Sequence, residues 1–452
     1  MFKNITTGLT YLWNFIAIRI FQKEKYSGNN SLNSSKNIWN MLVESEAQII
    51  DFMEQKVAEK KLSGSAELGL VLHWLNYDTI FVVKVVFKLF GMPASKVTPE
   101  TLAAWKKEIY GAEITSGSGM FISFRKFELF DLKWLEVIKN YIEVHLGIKK
   151  LSKFHTTPTY ADYSSTSPVS INIVGDFGTG AWKDDNQPHC PAELIQMQMA
   201  ENQGSVHIHL GDIYYSGTTK EAKNGFLKTW TPGKIASYNM NGNHDLYSGD
   251  SGYFEVTLKD DAFKAQNNTS YYSFKVNNWL FLGLDTSYFS NVFFCSEGRI
   301  TDPDQIAFMK EKIAGHAGKI ALITHHGPVS STGNEKFDLW DDVVKIMGNS
   351  MPDLWYYGHI HNAMVFNSTV LGDVKTKFRC IGNGALPYGK GYELEAELGK
   401  KIAWLPNKPL PNPSQFQNKR LLNTYLNLTI DGDTISETII YQDGTKGYVN
   451  TI

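Results

Sequence analysis

From residue 169 to residue 361 one pattern recurs: a short apolar or β-branched run ends, and a side chain of a metal-binding type follows at once. The run at 169–174 leads into Gly175-Asp176-Phe177-Gly178, and the run at 206–210 into Gly211-Asp212-Ile213-Tyr214-Tyr215. The run at 237–240 leads into Asn241-Gly242-Asn243-His244-Asp245, and that at 319–324 into His325-His326-Gly327-Pro328. The last, at 353–356, leads through Tyr357 into Gly358-His359-Ile360-His361. Within the second run Val206, Ile208 and Leu210 alternate, as on one side of a strand. Each polar residue then stands where a strand gives way to a loop, which is where open α/β sheets hold ligands.

Taken singly, the blocks have ordinary explanations. Asp176 fits a turn cap, His325 a satisfied core histidine, and Gly211-Asp212 a plain turn. His359-x-His361 is less ambiguous, because alternate residues of an extended chain face the same way and can offer two imidazoles to one site. Together, two Asp, one Asn and three His at strand ends resist a packing explanation, since so many polar groups are costly to bury without metal or charge partners. The set predicts a dinuclear metal centre. Two cations about 3.5–4 Å apart need a bridging carboxylate, and Asp212, central in the set, suits that place. Asp176 and a Tyr215 phenolate are hard oxygen donors suited to a ferric ion; imidazoles and an amide suit a divalent one. Hydroxide held by such a pair can attack phosphorus in line, with charge on the phosphoryl oxygens neutralised by the metals.

The rest of the chain frames this region. Further strands are expected at 271–276, 279–284 and 377–381, with a closing hairpin of 421–429 and 434–441 around Asp431-Gly432-Asp433. Asp302-Pro303 opens a capped helix that ends near Gly315. Residues 156–167 read as a polar linker, and the Pro-rich stretch 396–419 as a surface wrap. Before the linker the periodicity is helical, notably over 37–61, 98–111 and 131–147. The expected fold is therefore α/β, a β-sandwich flanked by helices over residues 166–452 including the hairpin, preceded by a mostly helical extension over 1–160.

The chain has 452 residues and a formal net charge of −2, with no basic, aromatic-laced surface to suggest a nucleic-acid partner. Residues 1–160 hold 20 Lys and Arg against 15 Asp and Glu. Around Lys84 and Lys88 the extension offers an apolar and basic face that could meet a membrane surface, beside a structural role as a cap. Cys190, Cys295 and Cys380 are too few and too scattered for a disulfide framework or a Cys-x-x-Cys site. That favours a reducing, cytoplasmic compartment, as does an N-terminal apolar run that lacks a cleavage site.

The five blocks resemble the calcineurin-like metallophosphoesterase superfamily. Gly178, where many members carry a ligating His, and Tyr215, third after Asp212, resemble purple acid phosphatases of the small tartrate-resistant type. The helical extension, with Gly175-Asp176-Phe177-Gly178-Thr179-Gly180 and Gly384-Ala385-Leu386-Pro387-Tyr388-Gly389, is similar to that of uncharacterised bacterial members. The resemblance implies Fe(III) held by Asp176, Asp212, Tyr215 and His361. It implies a second ion, Fe(II), Zn or Mn, held by Asp212, Asn243, His325 and His359. His244, oriented by Asp245, would face the substrate and help protonate the leaving oxygen. His326 stands where that branch often has Tyr, and is expected with Asn383 to contact substrate. The function implied is hydrolysis of a small phosphate monoester. Two alternatives are a phosphodiesterase acting on nucleotide or lipid-derived diesters, and a non-catalytic protein that binds a phosphate ligand.

Overall fold

The structure is a computed structural model and describes residues 140, 144 and 149–452, apart from 179–182, 185, 291–296, 368–369, 372–373, 387–393 and 414–419. The helices expected at 37–61 and 98–111, and the basic apolar face around Lys84, lie outside the described residues. Of the helix expected over 131–147, Asn140 and Val144 are described, and both are helical.

Two sheets form the centre. The first carries eight strands: β1 (Tyr160–Asp162), β5 (Tyr272–Val276), β6 (Trp279–Leu284), β7 (Lys319–Thr324), β8 (Leu354–Tyr357), β10 (Lys377–Ile381), β9 (Ala363–Phe366) and β11 (Ile402–Trp404), in that spatial order. The second carries six: β14 (Lys446–Thr451), β13 (Thr434–Tyr441), β12 (Thr424–Asp431), β2 (Val169–Val174), β3 (Val206–His209) and β4 (Ala236–Asn239). The sequence explains why they stack. In β6, Trp279 and Phe281 enter one buried cluster while Leu280, Leu282 and Leu284 enter another. In β8, Leu354 and Tyr356 part from Trp355 and Tyr357 in the same way. The period-2 alternation sends one set to each face.

The inner set meets Val169, Ile171, Ile173, Ile208 and Leu426 of the second sheet, so the two sheets share a core. The outer set of the first sheet packs on α4 (Pro303–Ala314) through Phe308 and Met309, and on α5 (Asp338–Met347) through Leu339, Trp340 and Val343. The outer face of the second sheet packs on α1 (Pro191–Glu201) through Ile195 and Met199. Full burial of one such side chain contributes about 1.5–3 kcal/mol. Helices outside, sheets inside: the α/β sandwich expected from the sequence is the fold observed. Asp302 caps α4 as anticipated, its Oδ1 accepting from the Gln305 amide at 2.8 Å.

Four strands carried no clear sequence signal. The polar stretch 156–167 contains β1, which pairs parallel to β5. The Pro-rich stretch contains β11, and β9 and β14 are likewise unmarked. β1, β11 and β14 are short or polar edge strands, where one side of the ladder faces solvent and the apolar pattern is weak.

The arrangement of parallel strands matters most for the site. β2, β3 and β4 run parallel in one sheet. β7, β8 and β10 run parallel in the other. The loops leaving their carboxyl ends converge.

Candidate metal centre

Asp176 follows β2, Asp212 follows β3, and Asn243 opens the short helix α3 (Asn243–Leu246) after β4. His325 and His326 follow β7, and His359 and His361 follow β8. Three of these residues are forced into the left-handed region, Asp176 at φ 55°, Asp212 at φ 72° and His359 at φ 64°. Such conformations cost a non-glycine residue about 1–2 kcal/mol each and collect at functional sites. Asp212 is also hemmed in by glycines. A Cβ on Gly242 would lie 2.2 Å from Asp212 Oδ1, and one on Gly211 2.7 Å from His325 Nδ1.

One group of donors is centred on Asn243. Its Oδ1 lies 2.9 Å from His325 Nε2 and 2.9 Å from His359 Nδ1. Its amide nitrogen donates to the Tyr247 hydroxyl, which fixes which end of the amide faces the histidines. His325 Nδ1 donates to the Leu210 carbonyl at 2.7 Å, so in the neutral ring Nε2 carries a lone pair. That lone pair faces Asn243 Oδ1 and, at 3.3 Å, Asp212 Oδ1. In that form acceptor meets acceptor, an arrangement that a metal ion among the three atoms or a proton on Nε2 resolves.

The second group is richer in oxygen. Asp176, Asp212 and His361 offer donor atoms within 4.8 Å of one another. Asp176 Oδ1 lies 3.5 Å from His361 Nε2. The Tyr214 hydroxyl lies 3.0 Å from Asp212 Oδ2 and 3.3 Å from Asp176 Oδ1, and also touches His361 Nε2. Asp212 therefore turns Oδ1 to the first group and Oδ2 to the second, the geometry of a bridging carboxylate. The donors fit two cations.

The electrostatics agree. Burial, then the charge of Asp212, raises the carboxyl of Asp176 well above the usual range. Burial also acts to raise Asp212, but His325, His244 and His359 together outweigh it and hold its carboxyl low. Burial, with Asp212 and Asp176, raises the Tyr214 hydroxyl well above an ordinary phenol. One carboxylate stays charged; its neighbours wait for a compensating cation.

Two expectations are corrected, and a third gains a residue. The Tyr214 hydroxyl enters the oxygen-rich group that the sequence reading gave to Tyr215. With Gly211 at φ 99° and Asp212 at φ 72° the chain leaves the strand sharply, so spacing along an extended chain no longer tells which side chain points inward. Tyr215 contributes its backbone: its carbonyl accepts from His244 Nδ1 at 2.6 Å. It follows that Asp245 does not orient the His244 ring. Asp245 folds back at the third position of α3 and accepts from the backbone amides of Gly242, Asp212 and Ile213 at 2.9, 3.1 and 3.3 Å, so it holds the bridging loop. Asn383, finally, is fully buried, and its Oδ1 accepts from Thr424 Oγ1 at 2.7 Å. Its loop does run beside the site, where the Ala385 amide donates to the Asp176 carbonyl at 3.2 Å. Pro387, Tyr388 and Gly389 lie outside the described residues.

His244 and His326 are where the site needs them. The His244 amide donates to Asp212 Oδ1 at 2.9 Å, and its ring lies 3.9 Å from that of Tyr214, centroid to centroid. Burial lowers its pKa, with Asp212 opposing. His326 lies beside His325 and His359, its Nδ1 3.0 Å from Thr286 Oγ1. Two supports escaped the sequence reading. Glu221 accepts from the Tyr215, Ser216 and Thr218 amides at 2.6, 3.2 and 3.0 Å, and its signal was the capping box Thr218-x-x-Glu221. Cys380 Sγ lies under the His359–His361 turn, 3.4 Å from the Ile360 and Asn362 carbonyls; a lone buried Cys gives no such hint.

Residues 169–363 match the calcineurin-like phosphoesterase family. No curated protein matches the chain. Among solved structures it is similar to GAP50, titled the anchor in the inner membrane complex of Plasmodium, at 14% identity and a TM-score of 0.42 over 63% of this chain and 88% of that one. It is similar also to the purple acid phosphatase PPD1 of yellow lupin (Lupinus luteus) seeds, at 14% identity and a TM-score of 0.42 over 63% of this chain and 54% of that one. A third is Vps29 of Cryptosporidium parvum, at 11% identity and a TM-score of 0.28 over 63% of this chain and 97% of that one. No helix among the described residues is long and apolar enough to cross a membrane.

Proposed function

We propose that this chain is a dinuclear-metal phosphoesterase that hydrolyses small phosphate monoesters. The observation that carries the reading is Asp212, whose two oxygens are divided between the two donor groups while its backbone is gripped by Asp245. Asn243, His325 and His359 would hold a divalent ion, Fe(II), Zn or Mn; Asp176, His361 and a phenol would hold Fe(III), with Asp212 shared. When bound, such a pair supplies Lewis acidity and makes water a competent nucleophile near neutral pH.

The protein's own groups do the rest. His244 has Nδ1 committed to the Tyr215 carbonyl, so Nε2 is the atom that can hold a proton for the leaving oxygen. His326, tied to Thr286 through Nδ1, orients the phosphoryl group. His244 is 5% exposed and His326 1%, so both act from a largely buried position.

The test is turnover of an aryl phosphate monoester beside its bis-aryl diester by metal-loaded protein. Monoester turnover at least tenfold faster is expected. Faster diester turnover overturns the monoester preference, and no turnover of either overturns the enzyme reading.

A further inference from the structure

The turn after β10 leans on the candidate metal centre. Its Gly384 and Ala385 amides donate to the Gly175 and Asp176 carbonyls at 2.9 and 3.2 Å, and the Gly175 amide donates back to the Ile381 carbonyl at 2.8 Å. Asp176, held at a positive φ, is therefore clasped from outside its own loop. The turn is anchored in its own right by Asn423, just before β12. Asn423 Nδ2 donates to the Asn383 carbonyl at 2.5 Å and to the Leu386 carbonyl at 2.6 Å. Its backbone is fixed by Gln442, the amide donating to Oε1 at 2.9 Å and the carbonyl accepting from the Gln442 amide at 2.8 Å.

Arg420 sets which end of that side-chain amide faces the turn, because its Nη2 donates to Asn423 Oδ1. Asp184 holds Arg420 in a two-point fork, Nε to Oδ1 at 2.8 Å and Nη2 to Oδ2 at 3.0 Å, and Nη1 donates to the Leu421 carbonyl. Both charged side chains are 1% exposed. An ion pair so deeply buried adds little net stability, since desolvation of two charges offsets their attraction. Its place is better explained by what it orients.

We infer that Arg420, anchored by Asp184, is a positioning residue for the metal centre: it acts through Asn423 on the 382–386 turn, and through that turn on Asp176. The inference rests on the proposed dinuclear reading and deepens it. Asp176 belongs to the oxygen-rich donor group and not to the group around Asn243. The effect therefore falls on one cation and spares the other.

The test titrates Zn(II) alone into the metal-free full chain by calorimetry, with denaturant unfolding of the same preparations. Arg420→Lys keeps the charge but cannot reproduce the fork. It is expected to weaken one of two equivalents by about ten- to a hundredfold and to leave the other unchanged. Arg379→Lys is the control for a broken buried ion pair, because Arg379 is also buried and donates from Nη2 at 2.9 Å to Glu437 of β13, away from the turn. It should lower stability and leave both equivalents as they are. Unchanged affinities in Arg420→Lys, equal weakening of its two equivalents, or the same loss in Arg379→Lys each overturn the inference and leave the phosphoesterase reading standing. Fewer than two equivalents in the wild type overturn the dinuclear reading, and this inference with it. Should Arg420→Lys not fold, Asn423→Ala decides, since it removes both donations to the turn and keeps the Asp184–Arg420 pair. Selective weakening of one equivalent then supports the inference, and any other result overturns it.

Discussion

Strand β3 and the loop beyond it show two ways of burying polar side chains. On the strand, His207 donates from Nδ1 to the Thr231 carbonyl at 2.6 Å, and its Nε2 accepts from the Asn172 side chain at 2.9 Å and the Gly204 amide at 3.1 Å. His209 donates from Nδ1 to Asn239 Oδ1 at 2.6 Å and accepts on Nε2 from the Phe177 amide. Just beyond, His325 has the same tautomer, with Nδ1 given to Leu210, yet its Nε2 faces two oxygens that carry no hydrogen. All three rings are buried. Burial therefore does not distinguish them. What marks the site is that His325 Nε2 meets two further metal-binding oxygens at one point, where a metal ion or a proton on Nε2 completes the contact.

The sharpest way to break this comparison is to remove the carboxylate both donor groups share. Asp212→Asn should lose both metal equivalents by elemental analysis and lower phosphoesterase turnover by roughly a thousandfold, which is about 4 kcal/mol at 1.36 kcal/mol per decade. Retention of two equivalents would mean that the two donor groups are independent and that Asp212 is no bridge.

The comparison is sharpened by treating the two kinds of histidine alike. His325→Ala should release one metal equivalent and cost roughly a hundredfold in turnover, and the metal-free protein should also lose about 1–3 kcal/mol because the Leu210 carbonyl is left without its donor. His209→Gln should lower stability by a similar amount, about 1–3 kcal/mol, because the Phe177 amide and Asn239 lose their partner, while both metal equivalents stay. Metal content and denaturant unfolding on the same preparations check both. If His209→Gln lost metal and His325→Ala did not, the contrast between the two kinds of histidine would fail.

This contrast also explains how much could be read from the chain. The sandwich was legible because β6 and β8 are buried on both faces and spell out apolar runs, while β2 alternates Val169, Ile171 and Ile173 with polar residues. The ligands Asp176, Asp212, Asn243, His325, His359 and His361 were legible because each sits at the end of such a run. What escaped lies where the backbone departs from extended geometry. Tyr215 was named from its place three after Asp212, and the entry of the Tyr214 hydroxyl into the site follows a turn that Gly211 and Asp212 open with positive φ, which spacing does not reveal. The family resemblance made Asp245 the partner of His244, but neighbours on a helix point different ways. His207-x-His209 shows the same limit from the other side. It repeats the spacing of His359-x-His361, yet every ring nitrogen finds a complementary group.

The smallest effect concerns that satisfied pair. Burial, with the Thr231 carbonyl opposing, lowers the pKa of His207 from 6.5 to about 4. Above 6.5 neither the folded nor the unfolded chain binds this proton, so the folded state loses nothing. As pH falls below 6.5 the unfolded chain takes up a proton that the folded chain refuses until about 4, and stability declines across that window. By pH 5.5 the loss from this group should be on the order of 1 kcal/mol. Buried carboxylates such as Asp250, whose pKa is raised by burial and then by Asp285, respond in the opposite direction, so the wild type alone would blur the effect. His207→Gln keeps a donor for Thr231 and an acceptor for Asn172 but cannot titrate. The difference in unfolding free energy between wild type and this variant, measured by denaturant at pH 7.5 and 5.5, should shrink by that amount at the lower pH. A difference that stays constant would mean that His207 gains its proton in the folded state, and that the strand's histidines are less different from those of the site than their hydrogen bonds imply.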